Sequence, residues 1–168
     1  MSKQIELRNI MFENVDAILD LAPGPSQIKY VGPVSKTIAI AYAGINEGFP
    51  GFLQAIYYNE TPVGIILIGR APVENDEPEV LQKYKYVYRI WDFFIDSNYQ
   101  RKGIGKAALR LAFEKVKDYP DAKQSPVYLE CHKENKAALS LYESFRFQSI
   151  NNILIDENYI LIRFPDCC

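Results

Sequence analysis

Histidine occurs once in the 168 residues, at His132, and cysteine three times, at Cys131, Cys167 and Cys168. So few soft ligands, with no Cys-x-x-Cys spacing, leave no basis for a metal centre, and an odd, sparse cysteine set leaves none for a disulfide framework. Cys131 lies inside an apolar run and reads as a small buried hydrophobe rather than a nucleophile, because its neighbour His132 faces the other way in a strand. An excess of one charge is missing as well. The 19 basic and 21 acidic side chains leave a net charge of −2, which offers no general attraction to nucleic acid or to an anionic membrane. No apolar run approaches the roughly 20 residues that span a bilayer, and the polar start MSKQIELRNI lacks the apolar stretch of a secretory signal, so a cytoplasmic protein is expected. Repeats, low-complexity segments and linkers are absent too. With 48% hydrophobic residues, the chain is expected to fold as one domain over 1–168.

What is present reads as an α/β order. IELRNI alternates like a strand, and FENVDAILDL places apolar residues at helical spacing, with Glu13 and Asp16 favourable near its start. A Pro- and Gly-rich loop follows, then a short helix over KTIAIAYAGIN that ends at GFPG. FLQAIYYNETPVGIILIG reads as a hairpin turning at NET-P. APVENDEPEVLQKY, with Glu74, Asp76, Glu77 and Glu79, reads as a polar loop before the long strand KYVYRIWDFFID. The helix GIGKAALRLAFEKVKD, the strand SPVYLECH, the helix ENKAALSLYESF and two terminal strands, FQSINNILI and ENYILIRF, complete the chain. Antiparallel strands thus flank a central strand-helix-strand-helix unit.

Gly103 and Gly105 stand where the long strand gives way to a helix, although glycine is unfavourable in a helical first turn. Backbone N–H groups there lack intrahelical acceptors and carry partial positive charge. Without side chains at 103 and 105, the backbone from Arg101 to Lys106 can wrap a phosphate or pyrophosphate, with charge added by Arg101 and Lys102. The competing reading is a glycine loop that only packs against a neighbour. A nucleotide P-loop and a dinucleotide fingerprint are both excluded by spacing: no Lys-Ser or Lys-Thr follows, and the glycines are in the wrong order.

In context, the segment resembles motif A of the GCN5-related N-acetyltransferases (GNAT), whose Gln/Arg-x-x-Gly-x-Gly/Ala pattern is met by Gln100, Gly103 and Gly105. FFIDSNYQRKGIG is similar to that family's central strand and pyrophosphate loop, and YLECHKENKAALSLYESFRFQ to its second motif; together they cover roughly the C-terminal half. The resemblance implies a mixed central sheet with antiparallel N-terminal strands, helices on both faces, and two strands splayed apart at an acyl-CoA site. It implies that backbone groups of Phe94, Ile95 and Asp96 pair with pantetheine. Gln100, Arg101, Lys102, Gly103, Ile104, Gly105 and Lys106 would hold the pyrophosphate. Asn135 would help hold the cofactor, and as a preferred cap residue it can equally start a helix. Tyr142 matches the tyrosine placed near the CoA sulfur as general acid; in LSLYESF it can also be core. Arg101 and Arg146 stand where the family usually has glycine, the latter at a helix end suited to a left-handed residue.

The implied reaction is direct attack of an amine on the thioester of acetyl-CoA, through a tetrahedral intermediate, with no metal. A protonated amine cannot attack, so a base is needed, and Asp92 on the central strand is the candidate. DFF and the later NYQ resemble the diamine and polyamine acetyltransferase branch, which makes spermidine or spermine the first expected acceptor. In animal relatives an acidic residue also precedes that aspartate; here Trp91 takes its place. In a regular strand Trp91 and Asp92 face opposite sides and cannot line one pocket, unless a bulge intervenes. The acidic loop is either a lure for cationic amines or a solvated loop, and Tyr84, Tyr86 and Tyr88 are either a stacking groove or sheet packing. An antibiotic amine or a protein N-terminus is the alternative acceptor. A noncatalytic acyl-CoA sensor is suggested by Trp91 and opposed by Tyr142. Many members of the family dimerise, so a homodimer is possible.

Overall fold

Alternating apolar residues make strand β1 (Ile5–Asn9), which pairs antiparallel with β2 (Gly51–Tyr58) in the computed structural model, where residues 4–165 are described. Cys167 and Cys168 lie outside those residues. β2 turns back through Asn59 and Glu60 into β3 (Thr61–Pro72); Asn59 takes a left-handed φ of 54°, which asparagine tolerates. β3 pairs antiparallel with β4 (Tyr86–Ile95), and β4 parallel with β5 (Val127–His132). With β6 (Gln148–Ile155) and β7 (Asn158–Arg163) the strands form one mixed seven-stranded sheet, ordered β1-β2-β3-β4-β5-β7-β6.

Among the described residues four α-helices cover this sheet: α1 (Val15–Leu19), α2 (Val34–Asn46), α3 (Ile104–Val116) and α4 (Lys136–Glu143). Strand alternation sorts them onto two faces. Ala55, Tyr57, Ile65 and Phe94 point to one face and pack with Ile18 of α1 and Val34 of α2. Ile56 and Ile66 point to the other and pack with Ile104, Ala108 and Phe113 of α3 and Tyr142 of α4.

The structure departs from the sequence expectations in three places. α1 is five residues long rather than the whole of FENVDAILDL. Asn14 ends that pattern: its carboxamide accepts from Met11 N–H at 2.8 Å and donates to the Asn9 carbonyl at 3.0 Å, folding 11–14 into a turn. α2 starts at Val34 rather than Lys36, because Pro33 with φ −63° leads straight into its first turn. The acidic loop is less solvated than its charge suggests. Leu81 is fully buried with Val87 and Tyr128, and Glu77 turns inward to meet Arg89 at 2.6 Å. Its carboxylate is therefore engaged within the protein rather than free to attract an amine. Tyr88 is likewise core, its hydroxyl donating to the Pro120 carbonyl at 2.6 Å, while Tyr86 stacks on Arg70.

Candidate active site

The loop between β4 and α3 is shaped by backbone conformations that its sequence partly resists. Gly103 occupies the N-cap of α3 at φ 78°, a left-handed position natural to glycine, whereas Arg101 holds φ 58° without that freedom. The first bond of the α3 ladder runs from Ala107 N–H to the Gly103 carbonyl at 3.1 Å, so the N–H groups of Ile104, Gly105 and Lys106 precede it. A Cβ on Gly105 would meet Ile95, Leu141 and Phe93 only at 3.7 to 3.8 Å, ordinary contact distances. Internal packing therefore does not demand this glycine. The missing side chain instead leaves open a cavity of about 200 Å³, bordered by Gln100, Arg101, Gly103, Ile104 and Gly105. Free amides, an adjacent guanidinium and bare backbone fit an anionic phosphate group.

The same cavity continues along β4 past Phe94 and Ile95 to Asn135 and Tyr142. It exists because β4 and β5 pair only at Tyr88 with Val127 and Arg89 with Tyr128, then part. Gln100 fixes the loop to the end of β4, donating to the Ile95 carbonyl at 2.7 Å and to Gln27 Oε1 at 2.6 Å. Three residues of the expected set lie off this cavity. Asp96 donates its N–H to the Val63 carbonyl at 2.7 Å, and its carboxylate accepts from Asn98 N–H at 2.9 Å. Lys102 donates to the Asn98 carbonyl at 2.7 Å. Lys106 is exposed on the first turn of α3.

A second cavity, of about 250 Å³, adjoins the first and shares Phe93, Asn135, Ala138 and Tyr142 with it. Trp91 and Asp92 both border it. A β-bulge makes this possible: Leu67 pairs with Asp92 but Ile68 with Ile90, so Trp91 is the extra residue and the strand's alternation is interrupted there. Asp92 then points to the α2 face, where Thr37, only 3% exposed, donates its hydroxyl to Asp92 Oδ2. Burial raises the Asp92 carboxyl above the usual carboxylate range, while the Thr37 hydroxyl and the Phe93 N–H pull it down. On the other side, Tyr142 is 6% exposed and burial pushes its hydroxyl above the ordinary phenol range. Asn135 caps α4, its side chain accepting from Ala138 N–H at 3.3 Å, and borders both cavities.

Thr37, Tyr30 and His132 also belong to this region and were not identified as site residues from the sequence. Tyr30 and His132 stack at 4.8 Å, and His132 Nδ1 accepts from Glu134 N–H at 3.2 Å. Cys131 is 5% exposed, and burial pushes its thiol up to about 11, so it stays protonated. Among the described residues no group of three or more His, Cys, Asp or Glu side chains is placed to hold a metal ion, and no helix is long and apolar enough to cross a membrane.

Known proteins resemble this chain in sequence and in fold. The chain is 29% identical over 146 residues to spermine/spermidine N(1)-acetyltransferase of Bacillus subtilis (strain 168), covering 86% of this chain and 88% of that protein. Its fold matches the PaiA N-acetyltransferase of Thermoplasma acidophilum in complex with coenzyme A, with a TM-score of 0.67 at 15% identity over 98% of this chain and 99% of the other. It also matches Arabidopsis thaliana NAA60 in complex with acetyl-CoA, with a TM-score of 0.68 at 16% identity over 96% and 99%. The profile of the Acetyltransferase (GNAT) family fits residues 18–147. The strand divergence, the glycine-opened helix start and that match together make the chain a member of the GNAT family, an acetyl-CoA-dependent N-acetyltransferase.

Proposed function

We propose that the acceptor is a primary amine of a small molecule, with spermidine and spermine the first candidates, that Asp92 removes its proton and that Tyr142 donates one to the leaving sulfur. The carrying observation is that Asp92 and Tyr142, from opposite faces of the sheet, border one cavity that adjoins the glycine-opened groove. Bound acetyl-CoA supplies an activated acetyl thioester. The N–H groups at the start of α3 and the side chain of Arg101 hold the anionic end, while the parted edge of β4 offers backbone groups to the chain between phosphate and sulfur. Asp92 has a carboxyl raised by burial, which makes it a stronger proton acceptor than a surface aspartate. Tyr142 stays protonated through the neutral range and is thus a standing donor. Thr37 positions Asp92 and acts only through it. The polyamine assignment is supported by the Bacillus subtilis relative and by an acidic group at the reaction centre.

Release of CoA thiol from acetyl-CoA by the purified protein tests the reading, with spermidine, spermine and a panel of other primary amines against a no-amine control. Amine-dependent release, lowered at least about 10²-fold by Tyr142→Phe, is expected. Release that ignores spermidine and spermine but follows another amine would move the substrate; release unaffected by Tyr142→Phe would remove its role.

A further inference from the structure

An apolar groove of about 230 Å³ lies between α2 and the sheet, beside the Asp92 cavity. Ile40, Gly44, Ile45 and Phe49 form one wall and Leu67 and Gly69 of β3 the other. Trp91 borders both this groove and the Asp92 cavity, so the two are neighbours. The bulge puts its indole on the α2 face, where a Cβ on Gly69 would lie 3.7 Å from Nε1. Thr37, which holds Asp92, is two turns before Gly44 on the same helix, about 10 Å away along its axis.

Gly44 is the telling residue. It sits inside α2, where glycine is unfavourable, yet its backbone is helical and a Cβ there would meet nothing within 4 Å. Neither a left-handed turn nor a close neighbour requires it; what the missing side chain preserves is the groove. The walls are hydrocarbon apart from Glu47 and Arg70. Arg70 is engaged, 2.7 Å from Asp121 and stacked on Tyr86. Glu47 follows the last turn of α2 and is exposed.

We propose that this groove is the subsite for the hydrocarbon portion of the acceptor, so that the preferred substrates are primary amines carrying an aliphatic chain, with Glu47 beside any cation at the chain's far end. The proposal rests on the amine-acetylation reading above. Burying methylenes against Ile40, Phe49 and Trp91 favours longer chains, and the groove's contact with the Asp92 cavity fixes which end reacts.

Trp91 is the sole tryptophan, so its emission reports on the groove and on the Asp92 cavity beside it, and the dependence on chain length isolates the groove. The protein with CoA is titrated with n-alkylamines from ethyl to octyl and with spermidine, and thiol release is measured in parallel. Dissociation constants read from Trp91 are expected to fall by up to about fourfold per added methylene until the groove is filled. Gly44→Leu, which favours the helix and fills the groove, is expected to abolish that gain without lowering the melting temperature; Glu47→Gln is expected to weaken spermidine and not octylamine. Equal affinity for ethylamine and octylamine, or an undiminished gain in Gly44→Leu, overturns the proposal. So does a Trp91 emission that depends on protein concentration and not on amine, which would assign the groove to contact between two copies. A chain-length-dependent emission without thiol release from any amine keeps the groove and removes the amine-acetylation reading.

Discussion

Asp92 is held where its charge is disfavoured, and under the proposed mechanism this ties activity to stability at one residue. Its folded carboxyl is raised by burial above the unfolded value of about 3.9, so its contribution to stability is full below that value and is lost as pH rises through the raised one. Asp92→Asn keeps an acceptor for the Thr37 hydroxyl and removes the buried charge. It is expected to increase resistance to urea at pH 7, with the gain vanishing near pH 3, and to lower kcat/KM at least about 10²-fold. Equal stability of the two proteins at pH 7 would contradict the raised carboxyl. As the proposed base, Asp92 would work unprotonated, so kcat/KM is expected to fall as pH drops through its pKa. Thr37→Val removes a hydrogen bond that lowers that pKa, and the acidic limb of the profile should move to higher pH, whereas a merely structural role would leave the limb in place. Asp92 and Tyr142 are candidates from the sequence because they stand in recognisable motifs, and the structure brings both to one cavity. Thr37 is not one: a single threonine in KTIAIAYAG carries no sign that its partner lies 55 residues away.

Among the elements, α3 gives the sharpest test. Ordinary contact distances around Gly105 mean that alanine fits there, and Gly105→Ala is expected to stabilise the ligand-free protein by about 0.5–1 kcal/mol in thermal or urea unfolding. Gly105→Glu adds bulk and negative charge at the helix start and should cost at least tenfold in acetyl-CoA affinity by calorimetry, about 1.4 kcal/mol. Unchanged binding in Gly105→Glu would place the anion elsewhere. Element existence was readable almost throughout, since the apolar period of two or of three to four residues survives in each strand and in α2, α3 and α4. Boundaries were less so. The contraction of α1 depends on Asn14 bonding back to Asn9, a local side-chain bond that apolar periodicity does not show, and the buried stretch around Leu81 depends on Arg89 drawing Glu77 inward, a contact between the loop and β4. The bulge at Trp91 was conceivable from the sequence but not deducible, because it is fixed by β3 pairing on the far side of the strand.

At the scale of the molecule, the candidate site is a gap in an otherwise continuous sheet, so ligand binding there is expected to be linked to global stability. Acetyl-CoA at 100 times its dissociation constant should raise unfolding free energy by about 2.7 kcal/mol, and a tenfold weaker Gly105→Glu at the same concentration should lose about half of that gain. A melting temperature indifferent to acetyl-CoA would argue against binding across the gap. The class of fold was visible in the order of elements and in two motifs; the parting of β4 from β5 was implied by family resemblance alone, since nothing in the sequences YVYRIWDFFI and VYLECH says where their pairing stops. It stops after two residue pairs, Tyr88 with Val127 and Arg89 with Tyr128. The sheet is therefore mechanically uneven. Pulled across its strands, it should tear first along that short seam, leaving β1-β2-β3-β4 and β5-β7-β6 as two intact plates, and a cosubstrate that touches both plates should act as a rivet that raises the rupture force.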